Sequence, residues 1–405
     1  MDSKRKEDIL LVGAGLTGLT LCNFLKNSKL KITILDSNPE KFYKEVDNTR
    51  YIVLSNTSKK ILSKLDLWKD LAKHCSKIEN IHISKKNIFG NTIVKAEDEN
   101  LDSLGYQIPL KTLLNSLYKG IKKSKNINFI NEAKAVGLNR ERVASVNFIH
   151  KNIEKEIHSN SVIFSSGTLE KMFESYFEKK IEKNYEQNAV VCEILTDIYD
   201  STTAFERFTN DGILGVIPRK NNSWTLIYST NNQETSVIKS LDKQNLKSYF
   251  QKLLKSKCGN ILQVKNLQFY PLKLQYYPSF SNKNICLIGD AAHTLHPIAG
   301  QSFNLTVRDC LEMSTLIEES LTNDDINFIE IFSKFEANRK KEVQRIVRFT
   351  DFLASFVHGK SIVKNKFITL SLLSIDMNRN LRTNIIRYLL GINFSDKLIT
   401  KMESK

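Results

Sequence analysis

The sequence predicts an α/β protein: a sheet of buried strands is interrupted by a second, mainly antiparallel β domain and followed by a C-terminal helical region. Two strand–turn–helix patterns support this fold class, one near the amino end of the chain and one at residues 284–309. Between them lie segments with the alternating apolar pattern of half-buried antiparallel strands.

The amino-terminal pattern begins with an apolar strand at residues 9–12 and continues into Gly13-Ala14-Gly15-Leu16-Thr17-Gly18. A helix follows, and the next strand ends at Asp36. Glycines in this arrangement make a tight turn, admit a pyrophosphate close to the backbone and let the helix pack on the sheet. An acid at the end of the second strand binds ribose hydroxyls. The pattern therefore predicts a dinucleotide site at Gly13, Gly15, Gly18 and Asp36, with FAD and NAD as alternatives.

The middle of the chain predicts more strands and one further turn. Arg50 precedes a helix-like stretch, where it either clamps a cofactor phosphate or is a solvated surface residue. Strand-like segments at residues 78–105, 127–130, 144–148 and 161–164 surround a helix at 111–121, and Gly167 follows the last of them. Alternating patterns at 188–208 and 212–230 then predict the antiparallel β domain, and residues 236–255 read as helical.

The late pattern opens with a buried apolar strand at residues 285–288 that stops at Gly289. Asp290 follows at the carboxyl end of this strand, where ligands of open α/β sheets bind. A loop containing Pro297 and Gly300 leads into a helix predicted to begin at Gln301. Because a helix N-terminus favours an anion or an electron-rich ring edge, this unit is the second candidate cofactor site.

Composition narrows the class of protein. The formal net charge is +16 over 405 residues, but Lys is spread along the whole chain, which disfavours nucleic-acid binding. Compositional bias and attraction to an anionic membrane surface both remain as explanations. Six Cys without a CxxC pair predict a reducing cytoplasm, without disulfides or zinc. The fingerprint begins too early to leave room for a signal peptide, and no apolar run is long enough to span a membrane.

The C-terminal region, from about residue 326, is predicted to be helical and basic. Residues 360–391 mix apolar side chains with Lys and Arg. Two interpretations stay open for this segment: an amphipathic segment at a membrane interface, or a helical layer packed on the body of the protein.

No side chain stands out as a catalytic nucleophile or acid–base group. His293 and His296 form an i,i+3 pair that could suggest a metal, but no third or fourth ligand lies nearby in the sequence. We therefore predict no metal site and no catalytic side chain, which is typical of proteins whose cofactor carries the chemistry.

Nearly the whole chain resembles the UbiH/UbiF/UbiI (COQ-type) FAD-dependent hydroxylases of ubiquinone biosynthesis, within the para-hydroxybenzoate hydroxylase group. Gly289-Asp290-Ala291-Ala292-His293-Thr294-Leu295-His296-Pro297-Ile298-Ala299-Gly300-Gln301 is the most specific match. The other matching motifs are residues 13–18 with Asp36, residues 47–50, Phe89-Gly90, Leu104-Gly105-Tyr106, Glu206-Arg207-Phe208 and Tyr270-Pro271-Leu272.

The resemblance implies a Rossmann-like FAD-binding domain built from residues 1–77, 106–185 and 273–325. It implies a substrate domain from residues 78–105 and 186–272, and a helical region over 326–405. The glycines would receive the pyrophosphate, Asp36 the adenosine ribose, and Arg50 the phosphates or flavin. Gly289 and Asp290 would bind the ribityl region, and the flavin ring would be wrapped by Pro297, Gly300, Gln301, Ser302 and Asn304.

The implied reaction is hydroxylation of the aromatic ring of a polyprenylated phenol, with O2 and with NAD(P)H or another electron donor. Other ubiquinone-biosynthesis proteins and the inner membrane surface are expected partners of a cytoplasmic enzyme, and nucleic acid is not. The alternatives are a flavoprotein of the same fold acting on another aromatic or prenyl substrate, and a degenerate, non-catalytic subunit of the biosynthetic complex. Two positions depart from the family: Ser166 replaces a usual Asp before Gly167, and Ser302 stands where Gly is common.

Overall fold

The computed structural model describes residues 6–45, 49–85, 91–140, 143–198, 201–321, 326–355 and 378–392. Elements are numbered in chain order. The first sheet consists of β1 (Glu7–Val12), β2 (Ile32–Leu35), β8 (Ile127–Ile130), β9 (Ala133–Arg140), β10 (Ala144–His150), β11 (Ile153–Phe164), β17 (Ser281–Asn282) and β18 (Ile285–Leu287).

The centre of the first sheet is parallel, in the order β18-β11-β1-β2-β8. Antiparallel strands extend it: β17 beside β18, and β10 and β9 beside β11. Parallel strands are covered on both faces, which explains why β2 and β18 are completely buried apolar runs. Since β18 pairs with β11, the sheet resumes after a long excursion of the chain, as the sequence predicts.

The second sheet consists of β5 (Asn80–Lys85), β6 (Asn91–Lys95), β12 (Ile181–Thr196), β13 (Thr203–Phe208), β14 (Gly212–Pro218), β15 (Ser223–Asn231), β16 (Ile261–Tyr276) and β19 (His293–Thr294). Its order is β19-β16-β12-β15-β14-β13-β5-β6, and every pair except β13–β5 is antiparallel. Two helices, α7 (Asn232–Ser240) and α8 (Lys243–Leu254), bury Ile238 and Phe250 against one face. The opposite face is therefore turned toward the rest of the protein.

A third, antiparallel sheet joins β3 (Tyr51–Ser55), β4 (Ser76–Ile78) and β7 (Gly105–Pro109). Arg50 thus leads into a strand before the helical segment that the sequence indicates. The remaining helices are α1 (Leu16–Leu25), α2 (Glu40–Glu45), α3 (Asn56–Ser63), α4 (Trp68–Leu71), α5 (Leu110–Lys122), α6 (Glu170–Phe173), α9 (Gln301–Ser320), α10 (Phe328–Ser355) and α11 (Arg379–Leu389).

The described C-terminal helices pack on the body of the protein. In α10, Phe332, Phe335 and Ile346 are buried, and in α11 Ile386 packs with Val94 and Leu104. Residues 360–377, which carry most of the predicted interfacial segment, lie outside the described residues. In the part of the chain that the structure does describe, no helix combines the length and apolar character needed to cross a bilayer. The predicted fold class, with its C-terminal helices, is confirmed.

Candidate active site

The two glycine-bearing turns lie directly against each other. A Cβ atom added at Gly289 would lie 2.5 Å from Thr17 Oγ1, inside the first turn. The Cys310 thiol of α9 donates to Thr17 O at 3.5 Å. On the other side, a Cβ atom at Gly167 would lie 2.8 Å from Asp290 O. Three strand ends that are distant in sequence therefore meet at one edge of the first sheet.

The glycines of the first turn have different physical roles. Gly13 has φ +106, and a Cβ atom there would lie 2.9 Å from Ser165 Oγ. A Cβ atom at Gly18 would lie 2.1 Å from Gly13 O, so only glycine lets the helix pack this closely. At Gly15 nothing lies within 4 Å of the added atom. Gly13 and Gly18 build the turn, whereas Gly15 borders open space of the kind that a pyrophosphate requires.

Asp36 is held in place behind the first turn. Ala14 N donates to Asp36 Oδ2 at 2.5 Å, and Asn38 donates to Oδ1 through its backbone N (2.8 Å) and its Nδ2 (2.9 Å). The side chain is 8% exposed. A carboxylate has about four acceptor positions, so the oriented group keeps capacity for a ribose hydroxyl.

Asp290 carries the carboxyl of the second turn. The residue lies in a 3₁₀ turn, Gly289–Ala291, at the end of β18, and it is exposed. Burial by the surrounding protein raises the pKa of its carboxyl, and this effect outweighs the opposing charges of His293 and Arg50. Arg50 is exposed beside it, with its guanidinium carbon 5.9 Å from the Tyr270 ring centroid.

The loop before α9 is compact and opens onto an uncapped helix start. Residues Ile298–Gly300 form a 3₁₀ turn, and Gly300 N donates to Pro297 O at 3.1 Å. Gly300 has φ +59 and precedes Gln301, the first residue of α9, without a side-chain cap. Ser302 is partly exposed in the first turn of this helix. Gly300, the N-cap residue of α9, has no side chain with which to cap the helix.

Asn304 is fully engaged by the protein. Its Nδ2 donates to Val53 O (3.0 Å) and Gly300 O (2.7 Å). Its Oδ1 accepts from Ser55 N (2.8 Å) and Ser58 Oγ (2.7 Å). These four bonds use both donors and both acceptor positions of the amide. Asn304 therefore fixes the loop to β3 and α3 and keeps no capacity for a ligand hydrogen bond.

The two histidines have separate partners. His293 Nε2 lies 3.0 Å from Asp309 Oδ2. His296 Nε2 lies 3.2 Å from Gln187 Oε1, and Ile298 N donates to its Nδ1 at 3.3 Å. Burial lowers the pKa of His296 to about 4. Over the described ranges, no three His, Cys, Asp or Glu residues are grouped as a metal would need.

Behind His293 lies a buried charge cluster that sequence reasoning missed. Asp309 Oδ1 accepts from Arg339 Nε at 2.6 Å, Glu342 pairs with Arg339, and Glu342 Oε1 accepts from Arg308 Nε at 2.8 Å. Burial acts to raise the pKa of Asp309, but Arg339 and His293 hold it below its usual value. The available signal was the adjacent charged pair Arg308-Asp309, which lies between the apolar residues Val307 and Cys310.

Ser166 borders the first turn. Its Cβ would lie 3.1 Å from a Cβ atom at Gly13, and its Oγ lies 2.8 Å from Thr168 Oγ1. A hydroxyl, and not a carboxylate, therefore lies at this point beside the first turn.

The loop after β18 also packs against the open face of the second sheet. Leu295 and Ile298 belong to one apolar cluster with Phe208 and Ile213, and Val191 and Ile227 border it. Buried apolar contacts thus fix this loop to the second sheet.

These contacts bring two glycine-bearing turns and Asp36 to one edge of the first sheet, and a family model identifies the class of protein. The model described as FAD binding domain matches residues 6–350. The chain belongs to this family, and its cofactor is FAD.

Named relatives extend this assignment. The chain is 21% identical over 428 residues to the ubiquinone biosynthesis monooxygenase COQ6 of Dictyostelium discoideum, covering 88% of this chain and 85% of that protein. It is 22% identical over 338 residues to the ubiquinone hydroxylase UbiM of Neisseria meningitidis, covering 81% and 72%. The crystal structure of p-nitrophenol 4-monooxygenase PnpA from Pseudomonas putida superposes with a TM-score of 0.77 at 12% identity, covering 95% and 98%. The predicted class, an FAD-dependent monooxygenase, is confirmed.

Proposed function

We propose that the protein hydroxylates the aromatic ring of a polyprenylphenol intermediate in ubiquinone biosynthesis. The observation that carries the proposal is the row of partly buried apolar side chains, Ile83, Val191 and Ile227, on the face of the second sheet beside the flavin-side loop. An aromatic ring with a prenyl tail is the class of substrate that such a face accommodates, since each buried CH2 gains about 0.8 kcal/mol. The ubiquinone hydroxylases among the relatives support the same class.

The two converging turns would hold FAD, whose chemistry in this class is the activation of O2 with electrons from NAD(P)H or another donor. In this proposal Gly13, Gly15 and Gly18 bind the pyrophosphate and Asp36 binds the adenosine ribose. Gly289 and Asp290 bind the ribityl region, and Arg50 contacts the phosphates or the flavin.

The loop residues would position the flavin ring. Pro297 and Gly300 shape the turn, and Gln301 and Ser302 place the backbone N–H groups at the N-terminus of α9 beside the ring edge. Such groups stabilise negative charge that develops in a reaction. Asn304 contributes indirectly, by tying the loop to β3 and α3.

An alternative substrate, either another aromatic compound or a prenyl chain alone, would fit the same apolar face of the second sheet. The decisive experiment gives FAD-loaded protein a reduced donor, isotopically labelled O2 and one of two phenols, 2-geranylphenol or phenol itself. We expect mass spectrometry to show one labelled oxygen atom in the geranylphenol product and little product from phenol. Equal turnover of both compounds would favour a small soluble aromatic substrate.

The second alternative is a degenerate, non-catalytic subunit, which Ser166 motivates. A preparation that cannot be reconstituted with FAD would support it. In a strain lacking this protein, we expect one prenylphenol precursor to accumulate, and its structure identifies the ring carbon that is attacked. An unchanged precursor profile would contradict the proposed pathway.

We further propose that the protein works peripherally at an anionic membrane surface, where its substrate resides. The net charge of +16 supports this placement. Flotation with vesicles that contain anionic lipid, compared with neutral vesicles, tests it. Equal flotation with both would count against an electrostatic attachment.

A further inference from the structure

Glu206 lies on the face of the second sheet that borders the apolar cluster of Leu295 and Ile298. In β13 it is opposite Gly215 of β14 on one side and opposite Ile83 of β5 on the other. Gly215 is in turn opposite Ile227, and Ile227 is opposite Val191. Residues directly opposite in a sheet share a face. Glu206 therefore projects from the same face as Ile83, Ile227 and Val191, which border the cluster containing Leu295 and Ile298.

The carboxyl of Glu206 has no partner among the described residues. No hydrogen bond or ion pair there involves it, and its neighbour across the strand is a glycine. A Cβ atom at Gly215 would lie 3.4 Å from Glu206 Oε2, so the carboxyl lies beside the space that the missing side chain leaves. Part of the residue stays accessible, while burial raises the pKa of the carboxyl to about 7. Burying a carboxyl among apolar side chains without a hydrogen-bond partner costs free energy, and a ligand that donates a hydrogen bond offsets that cost.

The other titratable groups around Glu206 are few. Lys85 lies two residues along β5 from Ile83 on the same face, and burial lowers its pKa. Tyr388 of α11 borders the same apolar cluster as Ile83, and burial raises its pKa to about 12. Arg207 and His82 alternate with Glu206 and Ile83 and project from the opposite face. Among these neighbours, Glu206 is thus the acidic group on the face that it shares with Ile83 and Ile227.

We propose that the Glu206 carboxylate binds the ring hydroxyl of the substrate, accepting its hydrogen bond and fixing which ring carbon faces the flavin loop. This inference rests on the proposed function, because it requires a phenolic substrate. The hydroxyl donates to the carboxylate, and the electron density retained on its oxygen favours attack at the carbons ortho and para to it. The apolar neighbours of Glu206 would hold the ring and the tail, so orientation depends on this one polar contact.

The test uses FAD-loaded protein and two probes that differ only at the hydroxyl: 2-geranylphenol and its methyl ether, 2-geranylanisole. Binding is followed by the change in flavin absorbance. The variant is Glu206→Gln, and the matched control is Glu182→Gln, which makes the same change at an exposed position of the same sheet. We expect Glu206→Gln to lose affinity for the phenol by about tenfold and to bind the ether as the wild type does.

The pH dependence adds a second readout. The affinity of the wild type for the phenol is expected to rise as the carboxyl ionises through its raised pKa of about 7. The Glu206→Gln variant should lack this rise, and the Glu182→Gln control should keep it. If Glu206→Gln does not retain FAD, Glu206→Asp replaces it in the test. This variant withdraws the carboxyl by one CH2 group, and its affinities for the phenol and the ether are compared in the same way.

Two outcomes distinguish a failure of the role of Glu206 from a failure of the proposed function. Equal losses for phenol and ether, or no loss for the phenol, overturn the role of Glu206 while the proposed function stands. A wild-type protein that carries FAD but binds neither probe contradicts the prenylphenol substrate itself, and the assignment of Glu206 falls with it.

Discussion

At the scale of single residues, the glycines of the first turn separate a structural requirement from a binding requirement. A side chain at Gly18 would overlap Gly13 O, whereas one at Gly15 would meet no protein atom within 4 Å. Gly15 also has φ −70, which any residue can adopt. A methyl group there would therefore leave the fold intact and occupy space that the cofactor needs.

The first prediction follows from this difference. Gly15→Ala should leave the thermal unfolding of the FAD-free protein unchanged and weaken FAD binding by about tenfold or more, because the backbone no longer approaches the pyrophosphate. Fluorescence titration with FAD measures the effect. Gly137→Ala is the control, since its Cβ would make an ordinary 3.5 Å contact with Asn147 Cβ, away from the turn. Unaltered FAD affinity in Gly15→Ala would place the pyrophosphate elsewhere.

The second prediction concerns Glu206 and stability. Burial raises its pKa from 4.5 to about 7, so the folded state holds this proton more tightly than the unfolded state. The wild type therefore loses stability as the pH rises from 4.5 through about 7. Glu206→Gln removes this loss: we expect it to be more stable than the wild type by about 1–3 kcal/mol near pH 8 and equal to it near pH 4.

Denaturant unfolding at the two pH values, with FAD saturating, measures the difference. The Glu182→Gln control breaks only an exposed pair with Lys180 and should cost less than about 1 kcal/mol at either pH. A pH-independent difference for Glu206→Gln would mean that the carboxyl titrates normally in the folded protein.

Single residues also show what local patterns can predict. Gly13, Gly18 and Asp36 could be placed from spacing alone, because one turn determines their geometry. Asn304 is predicted to lie beside the flavin, and the structure adds that its amide bonds to Val53, Ser55, Ser58 and Gly300. Three of these lie on β3 and α3, and no local pattern reveals a pairing over so many residues.

At the scale of elements, the start of α9 depends on that same amide. Asn304 joins the loop after β18 to the third sheet. It therefore determines the position and direction of the N-terminus of α9. The sequence predicts both the helix and its first residue. It does not predict what holds them, because β3 was not recognised as a strand.

Asn304→Ala is the third prediction. It leaves Ser55 N without its acceptor in a buried place and removes four hydrogen bonds, so we expect a loss of about 2–4 kcal/mol in the free energy of unfolding. FAD affinity should fall as well, because the loop is released. Asn139→Ala, at an exposed position in β9, is the control and should change neither quantity. A full loss of stability with normal FAD affinity would show that the loop does not need this anchor.

Another element boundary could have been found from local chemistry. Residues 236–255 were predicted as one helical segment, and the structure divides them into the end of α7 and all of α8. Asp242 caps α8, with its Oδ1 accepting from Asn245 N at 2.8 Å. An Asp at the start of a helical pattern is a favoured N-cap, so this break was readable from the sequence.

At the scale of the whole molecule, the buried charge cluster joins parts that are separate in sequence. His293 belongs to the loop after β18, Arg308 and Asp309 to α9, and Arg339 and Glu342 to α10. The cluster thus connects the C-terminal region to the segment proposed to hold the flavin. Sequence patterns located the helices, but the pairing of charges between them depends on how the helices pack, which only the folded chain determines.

The last prediction tests that connection. Asp309→Asn keeps the size of the side chain but leaves the buried Arg339 without half of its counter-charge, so we expect a loss of about 3–5 kcal/mol in the free energy of unfolding at neutral pH. Asp70→Asn, which breaks an exposed pair with Lys73, is the control and should cost less than about 1 kcal/mol.

The pH dependence of the difference follows from the lowered pKa of Asp309. The wild-type advantage is complete above the usual value of 3.8 and is lost as the pH falls below it, through the lower pKa of the folded state. Unfolding curves for wild type and variant should therefore stay apart at neutral pH and converge only in acid. Because His293 leads into the loop of Pro297 and Gly300, the variant should also bind FAD more weakly. Normal stability in Asp309→Asn would mean that apolar packing alone fixes α10 against α9, and the charge cluster would then have no part in positioning the loop.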